Sequence, residues 1–134
     1  MITWKNLPGV DEAIAAAGHK VYWENDQLVV SDEKAVQAII DTYDPLPYVK
    51  REKKRKIAEE AFERVRMLFP ALASYDQLEL EVERWLSIAA VARNPTPAYK
   101  KLIDTVVAAR AAIAAVNSAS TVADVETLVP VWPA

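Results

Sequence analysis

Three helix-length segments follow one another in the second half of this chain: Tyr48 to Phe69, Ser74 to Asn94 and Pro97 to Asn117. Proline marks their joints, at Phe69-Pro70 and at Asn94-Pro95-Thr96-Pro97. Each segment carries apolar residues three and four positions apart. These are Ala58, Ala61, Val65 and Leu68, then Leu78, Val82, Trp85, Ala89 and Ala92, then Leu102, Val106, Ala109, Ile113 and Val116. Residues at that spacing share one helix face, which must be buried against a neighbour. Short joints turn consecutive helices back on each other, so the pattern predicts an antiparallel bundle or a long helical hairpin.

The boundaries have local chemistry behind them. Ser74-x-x-Gln77 has the form of a capping box, in which a serine oxygen and a glutamine side chain satisfy amides at a helix start. Thr96 is expected to cap the third helix, with Pro97 at its first position, where the missing amide costs nothing. The last stretch, Ser120 to Leu128, reads as a short capped helix, and Pro130-Val131-Trp132-Pro133 as an extended tail.

Before the helices lies a different pattern. Pro8, Asp11, Glu12 and Gly18 bracket a short helix over residues 9–17, by the usual preferences of helix ends. Val21 and Trp23, then Leu28 to Val30, favour strands around the polar tetrad Glu24-Asn25-Asp26-Gln27, which predicts a hairpin. An isolated hairpin is marginal. A following helix, capped by Ser31 and striped with Val36, Ile39, Ile40 and Tyr43, supplies cover for one face. Trp4 and Trp23 are expected to close this small core, and Trp85 to anchor the larger one. Asp44-Pro45-Leu46-Pro47 is the strongest breaker, since proline lacks an amide donor and restricts its predecessor. The expected organisation is therefore a small α/β region over 1–46 and a helical region over 47–134, together one compact and mainly α unit.

Composition narrows the function. The 134 residues are 52% hydrophobic, enough for one real core, and include only two glycines and no cysteine. Thiolate metal sites, cysteine nucleophiles and disulfides are thereby excluded. The N-terminus lacks the basic and apolar runs of a secretory signal, and no apolar run approaches the roughly 20 residues of a membrane span. A soluble, unexported chain is expected. His19 is the single histidine, without a second ligand to share a metal, and reads as a helix-end residue. Asp41 and Asp44 read as solvated turn residues rather than an acid–base pair. Glycine-rich phosphate loops, a nucleophile elbow and zinc spacing are absent from the sequence. No catalytic residue, cofactor or metal is expected, and the chain reads as non-enzymatic.

Net charge is −3, which argues against a protein built mainly to neutralise phosphates. The charge is nonetheless uneven. Lys50, Arg51, Lys53, Lys54, Arg55 and Lys56 form a basic block around most of a helix circumference, while Asp76, Glu79, Glu81 and Glu83 gather on the next segment. A basic start opposes the helix dipole, so the block reads as solvated surface, as a seat for an acidic protein partner, or as a nucleic-acid contact with Tyr48 as the nearby ring. Trp132, between two prolines, reads either as a latch docked on its own domain or as an anchor for a partner.

Several segments resemble a known group. The run from Val36 to Pro47, including Ile39-Ile40-Asp41-Thr42-Tyr43-Asp44-Pro45, followed by a Lys/Arg/Glu/Ala helix, is similar to small tail-region proteins of tailed bacteriophages and prophages. Phe69-Pro70, Gln77, Glu81, Trp85 and Asn94-Pro95-Thr96-Pro97 resemble the helical part of tail-fibre assembly proteins. Val122-x-x-Val125-Glu126 and Val131-Trp132-Pro133 resemble their C-termini. The resemblance spans Val36 to Pro133. It departs where those proteins carry a Trp-Pro-x-Gln-like element and this chain has Phe69-Pro70 and then Ser74-Tyr75-Asp76-Gln77. It implies a non-enzymatic accessory of tail or tail-fibre assembly, chaperone-like, acting by protein–protein contact in the host cytoplasm. A structural component of the virion tail or baseplate and a nucleic-acid-associated protein are the alternatives. The expected partners are a tail or tail-fibre protein and, through self-association, a second copy of the chain. Tyr48, the six basic residues from Lys50 to Lys56 and Trp132 are the expected contact residues.

Overall fold

The computed structural model describes residues 2–88 and 95–134. Among these the elements run α1 (Val10–Ala16), β1 (Val21–Glu24), β2 (Gln27–Val30), α2 (Glu33–Thr42), α3 (Leu46–Val65), α4 (Tyr75–Leu86), α5 (Pro97–Ser118) and α6 (Val122–Thr127). This is a mainly α-helical bundle with a small N-terminal hairpin and helix, the expected fold class. The chain divides into two compact units, Met1–Val49 and Lys50–Ala134.

In the first unit, α1 is framed by two glycines in the left-handed region, where a side chain is strained. Gly9 has φ of 80°, and a Cβ there would collide with the Tyr48 ring and the Tyr43 hydroxyl. Gly18 has φ of 85°, and its amide bonds Ala15 while the next amide, from His19, reaches back to Ile14. That pair of bonds satisfies two of the orphan carbonyls at the helix end. Strands β1 and β2 pair antiparallel, Val21 with Val30 and Trp23 with Leu28. Their turn is only Asn25 and Asp26, both with positive φ, so Glu24 and Gln27 belong to the strands. Two left-handed residues give the turn whose twist matches the strands, and Asn and Asp are the side chains that tolerate it best.

Val10, Ile14, Val36 and Ile40 form the core of this unit, with Trp4, Val21, Val30, Ile39 and Tyr43 packed around it. Two expectations are corrected. Asp32, not Ser31, caps α2 by accepting the Ala35 amide, because Ser31 is one residue too early and accepts the Lys20 amide instead. Trp23 does not close the core: it is 64% exposed at the hairpin tip. Helix α1 has seven residues. At 1.5 Å per residue it is roughly 10 Å long, and the core reaches the hairpin only at its Val21–Val30 end.

Helix α3 begins at Leu46, earlier than Tyr48, since Pro47 fits the first turn where its amide has no partner, and the Asp44 carboxylate accepts the Leu46 amide. It ends at Val65 rather than Phe69. Helical spacing therefore no longer holds at Leu68, which is exposed, and the buried residues are Ile57, Ala61 and Val65. Ile57 and Ala58 flank the same stripe, and the larger side chain takes the inner place.

The expected capping devices form. The Ser74 hydroxyl accepts the Gln77 amide, the Gln77 side chain accepts the Ala73 amide, and Thr96 caps α5 with Pro97 in the first turn. Thr121 caps α6. Val65, Leu78, Val82, Leu102 and Val106 make the core of the second unit, with Phe62, Phe69, Tyr75 and Tyr99 among its margins. Along α5, Ala112 is buried beside Ala109 while Ile113 is half-buried. Trp85 is half-buried rather than a fully enclosed anchor, and lies stacked on Tyr99 at 3.9 Å between ring centroids. Tyr99 in turn meets Phe69 edge-on at 5.0 Å. An edge-on aromatic pair such as Phe69 with Tyr99 adds about 0.5–1.5 kcal/mol beyond the area it buries. The expected continuation of the second segment through Ala89 and Ala92 to Asn94 lies outside the described residues.

Candidate functional site

Lys50, Lys54 and Arg55 of the basic block are occupied within the second unit itself. The Lys50 ammonium donates to the Asn117 backbone carbonyl at 3.0 Å, and Lys54 donates to the Asn117 side-chain oxygen at 3.0 Å. Asn117 sits in the last turn of α5, where unsatisfied carbonyls carry the negative end of the helix dipole. The start of α3 thus lies beside the end of α5, and lysines that oppose their own helix dipole suit a neighbour's. Arg55 bridges Glu52 and Glu59 one turn to either side. Its hydrogen bond holds the Glu52 carboxyl below the usual range, and Glu52 in turn raises the Arg55 guanidinium. Lys56 and Arg51 are exposed and Lys53 is half-buried.

The acidic block is similarly absorbed. Arg110 on α5 reaches Glu79 and Glu83, both at 3.2 Å, and the Glu81 carboxylate accepts the Tyr99 hydroxyl at 3.0 Å. That bond raises the Tyr99 phenol. Burial raises the Tyr75 phenol more strongly, with the Glu79 carboxylate adding to it. The hydroxyl of Tyr75, the indole nitrogen of Trp85 and the hydroxyl of Thr105 are buried without a well-formed hydrogen bond among the described residues.

Trp132 lies half-buried, with the Arg64 guanidinium 4.9 Å above its ring. Arg64 is eight positions after Lys56, roughly 12 Å further along the axis of α3, so Trp132 and the basic block are separate features of the second unit. Tyr48 belongs to the first unit, half-buried with its ring against Gly9. The expected contact residues thus do not gather into one surface within either unit. His19 is half-buried, Asp41 accepts from Gln37 and lies 3.6 Å from Lys5, and Asp44 serves the start of α3. Among the described residues no group of three His, Cys, Asp or Glu side chains is placed to hold a metal, and no helix is long and apolar enough to cross a membrane.

A concavity in the first unit involves Trp4 and Trp23, the residues expected to close its core. A cavity of about 840 Å³ opens between α1, the segment before it and β1. Trp4, Tyr22 and Trp23 are among the residues that line it, together with Val10 and Ile14, and Asp11, His19 and Lys20 add polar groups. Tyr22 and Trp23 are adjacent on a strand, so their side chains leave opposite faces, yet both line the opening and are 52% and 64% exposed.

Comparison with family models, curated proteins and solved structures finds no match to this chain.

Proposed function

We propose that this protein is an accessory of phage tail or tail-fibre assembly that works by protein–protein contact. The single observation behind the contact reading is the exposed aromatic pair Tyr22 and Trp23 at the lip of the open cavity. Tryptophan and tyrosine combine a large apolar area with a polar tip and few rotatable bonds, which is why they dominate the energetics of interfaces. A folded unit that leaves both outside its own core holds them where a partner can bury them. The tail-assembly part of the reading rests on the sequence resemblance over Val36 to Pro133. The cavity lies outside that stretch, so it would be this chain's own addition.

In such a role the protein covers apolar or oligomerisation surface on a fibre subunit until assembly, with its affinity concentrated in a few anchors. The test is co-expression with a tail-fibre subunit drawn from the neighbouring reading frames. The expected result is a higher yield of soluble, assembled fibre, and loss of that gain with Trp23→Ala. Fibre that assembles equally well without this protein would overturn the assembly reading. Finding the protein in purified particles would instead make it a structural component of the tail. A nucleic-acid role is disfavoured, because Lys50, Lys54 and Arg55 already have partners within their own unit.

A further inference from the structure

We propose that a second copy of this chain pairs with the first through the outer edge of β1, antiparallel and across a two-fold axis at Tyr22. The two hairpins then join into one four-stranded sheet in the order β2-β1-β1-β2. This goes beyond the tail-assembly reading and does not depend on it.

The free edge follows from the hairpin's own bonding. The Ser31 amide donates to the Lys20 carbonyl at 3.1 Å, so Lys20 and Ser31 form a hydrogen-bonded pair at the open end of the ladder. In an antiparallel ladder such pairs alternate with pairs that exchange no bond. Tyr22 with Val29 and Glu24 with Gln27 are therefore the bonded pairs, while Val21 and Trp23 turn their amides and carbonyls away from β2. Among the described residues the sheet has only these two strands, and no backbone bond from elsewhere reaches Val21 or Trp23. Proteins usually blunt such an edge with proline, lysine or a bulge inside the strand. Val21-Tyr22-Trp23-Glu24 has none of these, and its first three residues favour strand. Every residue from His19 to Trp23 lines the cavity of about 840 Å³, so open space accompanies the strand.

The occupant is identified by the strand's complementarity to itself, since a two-fold contact needs one surface to carry both halves of every pair. About an axis at Tyr22, Val21 meets Trp23 of the second copy and Trp23 meets its Val21, each pair exchanging two backbone bonds. Val21 packs on the core, and Trp23 shares its face by the alternation of a strand. On that face the pairing twice sets an aromatic ring beside a β-branched side chain, a favourable cross-strand combination. It also covers Trp23, which its own unit leaves outside the core. On the opposite face Tyr22 meets Tyr22, and Lys20 meets Glu24 of the second copy on both sides of the axis. These are pairs of the closer, non-bonded kind, and all three residues are exposed in the single chain. Opposite charges directly across two strands favour this register. The same operation on β2, about Val29, sets Gln27 against Ser31 and gains no charge pair.

Sedimentation equilibrium of the full chain at low ionic strength, over a range of concentrations, is expected to show a monomer–dimer equilibrium with a dissociation constant below about 1 mM. Lys20→Glu and Glu24→Lys each put like charges across the axis twice, and each is expected to weaken self-association by about fivefold or more. Mixed in equal amounts, the two variants are expected to associate within about twofold of the parent, because the two glutamates of one chain then face the two lysines of the other. Recovery on mixing also shows that both variants fold. A chain that stays monomeric at about 1 mM overturns the inference. So does a dimer that neither substitution weakens, or one whose weakened variants fail to recover on mixing. Association that continues past the dimer into open chains, as pairing of β1 with β2 would give, overturns it as well. Each of these results leaves the tail-assembly reading standing, which fails instead if fibre assembles equally well without this protein.

Discussion

Arg64 and Trp132, at the end of α3 and in the C-terminal tail, meet as a cation over an aromatic face, 4.9 Å from guanidinium carbon to ring centroid. The prolines on either side limit the tail's freedom before it docks, so less entropy is lost when the ring settles. Pro130 is itself half-buried, and Leu128 to Val131 run along the alanine-rich side of α5, lining a groove of about 220 Å³ with Ala108 and Ala115.

Deleting Val131 to Ala134 is therefore expected to lower stability by about 1–2 kcal/mol, the sum of a cation–π contact and partial burial of one large ring. The urea midpoint of the truncated chain measures this. Arg64→Ala should reproduce part of the loss, and a truncated chain with an unchanged midpoint would show that the tail contributes nothing to folding.

Lys50 and Lys54 are expected to stabilise the bundle through the end of α5 rather than through solvent. Replacing both with alanine should lose about 1 kcal/mol at low ionic strength, in the range of charge interactions with a helix terminus. Added salt should shrink the difference, because the groups remain partly open to water. Thermal melts of parent and variant at two salt concentrations separate this from a pure packing effect, which salt would leave alone.

Gly9→Ala should be among the most damaging small substitutions in the first unit. A left-handed residue with a Cβ costs roughly 1–2 kcal/mol, and displacing the Tyr48 ring adds an overpacking cost of about 1–3 kcal/mol. Hydrogen exchange of the α1 and α2 amides reads the effect where it arises. Protection unchanged from the parent would mean that Tyr48 moves aside freely.

Tyr75 links the second core to alkaline pH. Burial raises its phenol above the ordinary value of 10.0. The folded state then keeps a proton that the unfolded chain releases. Stability is fully present below pH 10 and falls as pH rises from there towards the folded value. Tyr75→Phe should flatten that decline. At neutral pH it should change stability by less than about 1 kcal/mol, since the hydroxyl makes no well-formed hydrogen bond among the described residues. Chemical denaturation at pH 7 and above pH 10 compares the two chains, and parallel alkaline slopes would show that Tyr75 does not titrate with unfolding.

Local chemistry alone determined most of the element starts in this protein. Ser74 and Thr96 cap helices because a short hydroxyl side chain satisfies amides that nothing else reaches, and Pro97 suits only a first turn. Asn25 and Asp26 turn the hairpin because few other side chains accept positive φ. The stripe from Leu102 through Val106 to Val116 was equally legible, since helical period is a property of the sequence itself. Other outcomes depended on what lay across the fold. Whether Lys50 faced a partner or Asn117 depended on where the end of α5 came to rest, sixty-seven residues away. Trp23 fits the alternation of a core strand, but the core of Val10, Ile14, Val36 and Ile40 reaches the hairpin only at Val21 and Val30 and leaves the tip outside. Burial and ion pairing are relations between distant segments, so the aromatic cavity and the internal use of the charged blocks were decided by tertiary packing.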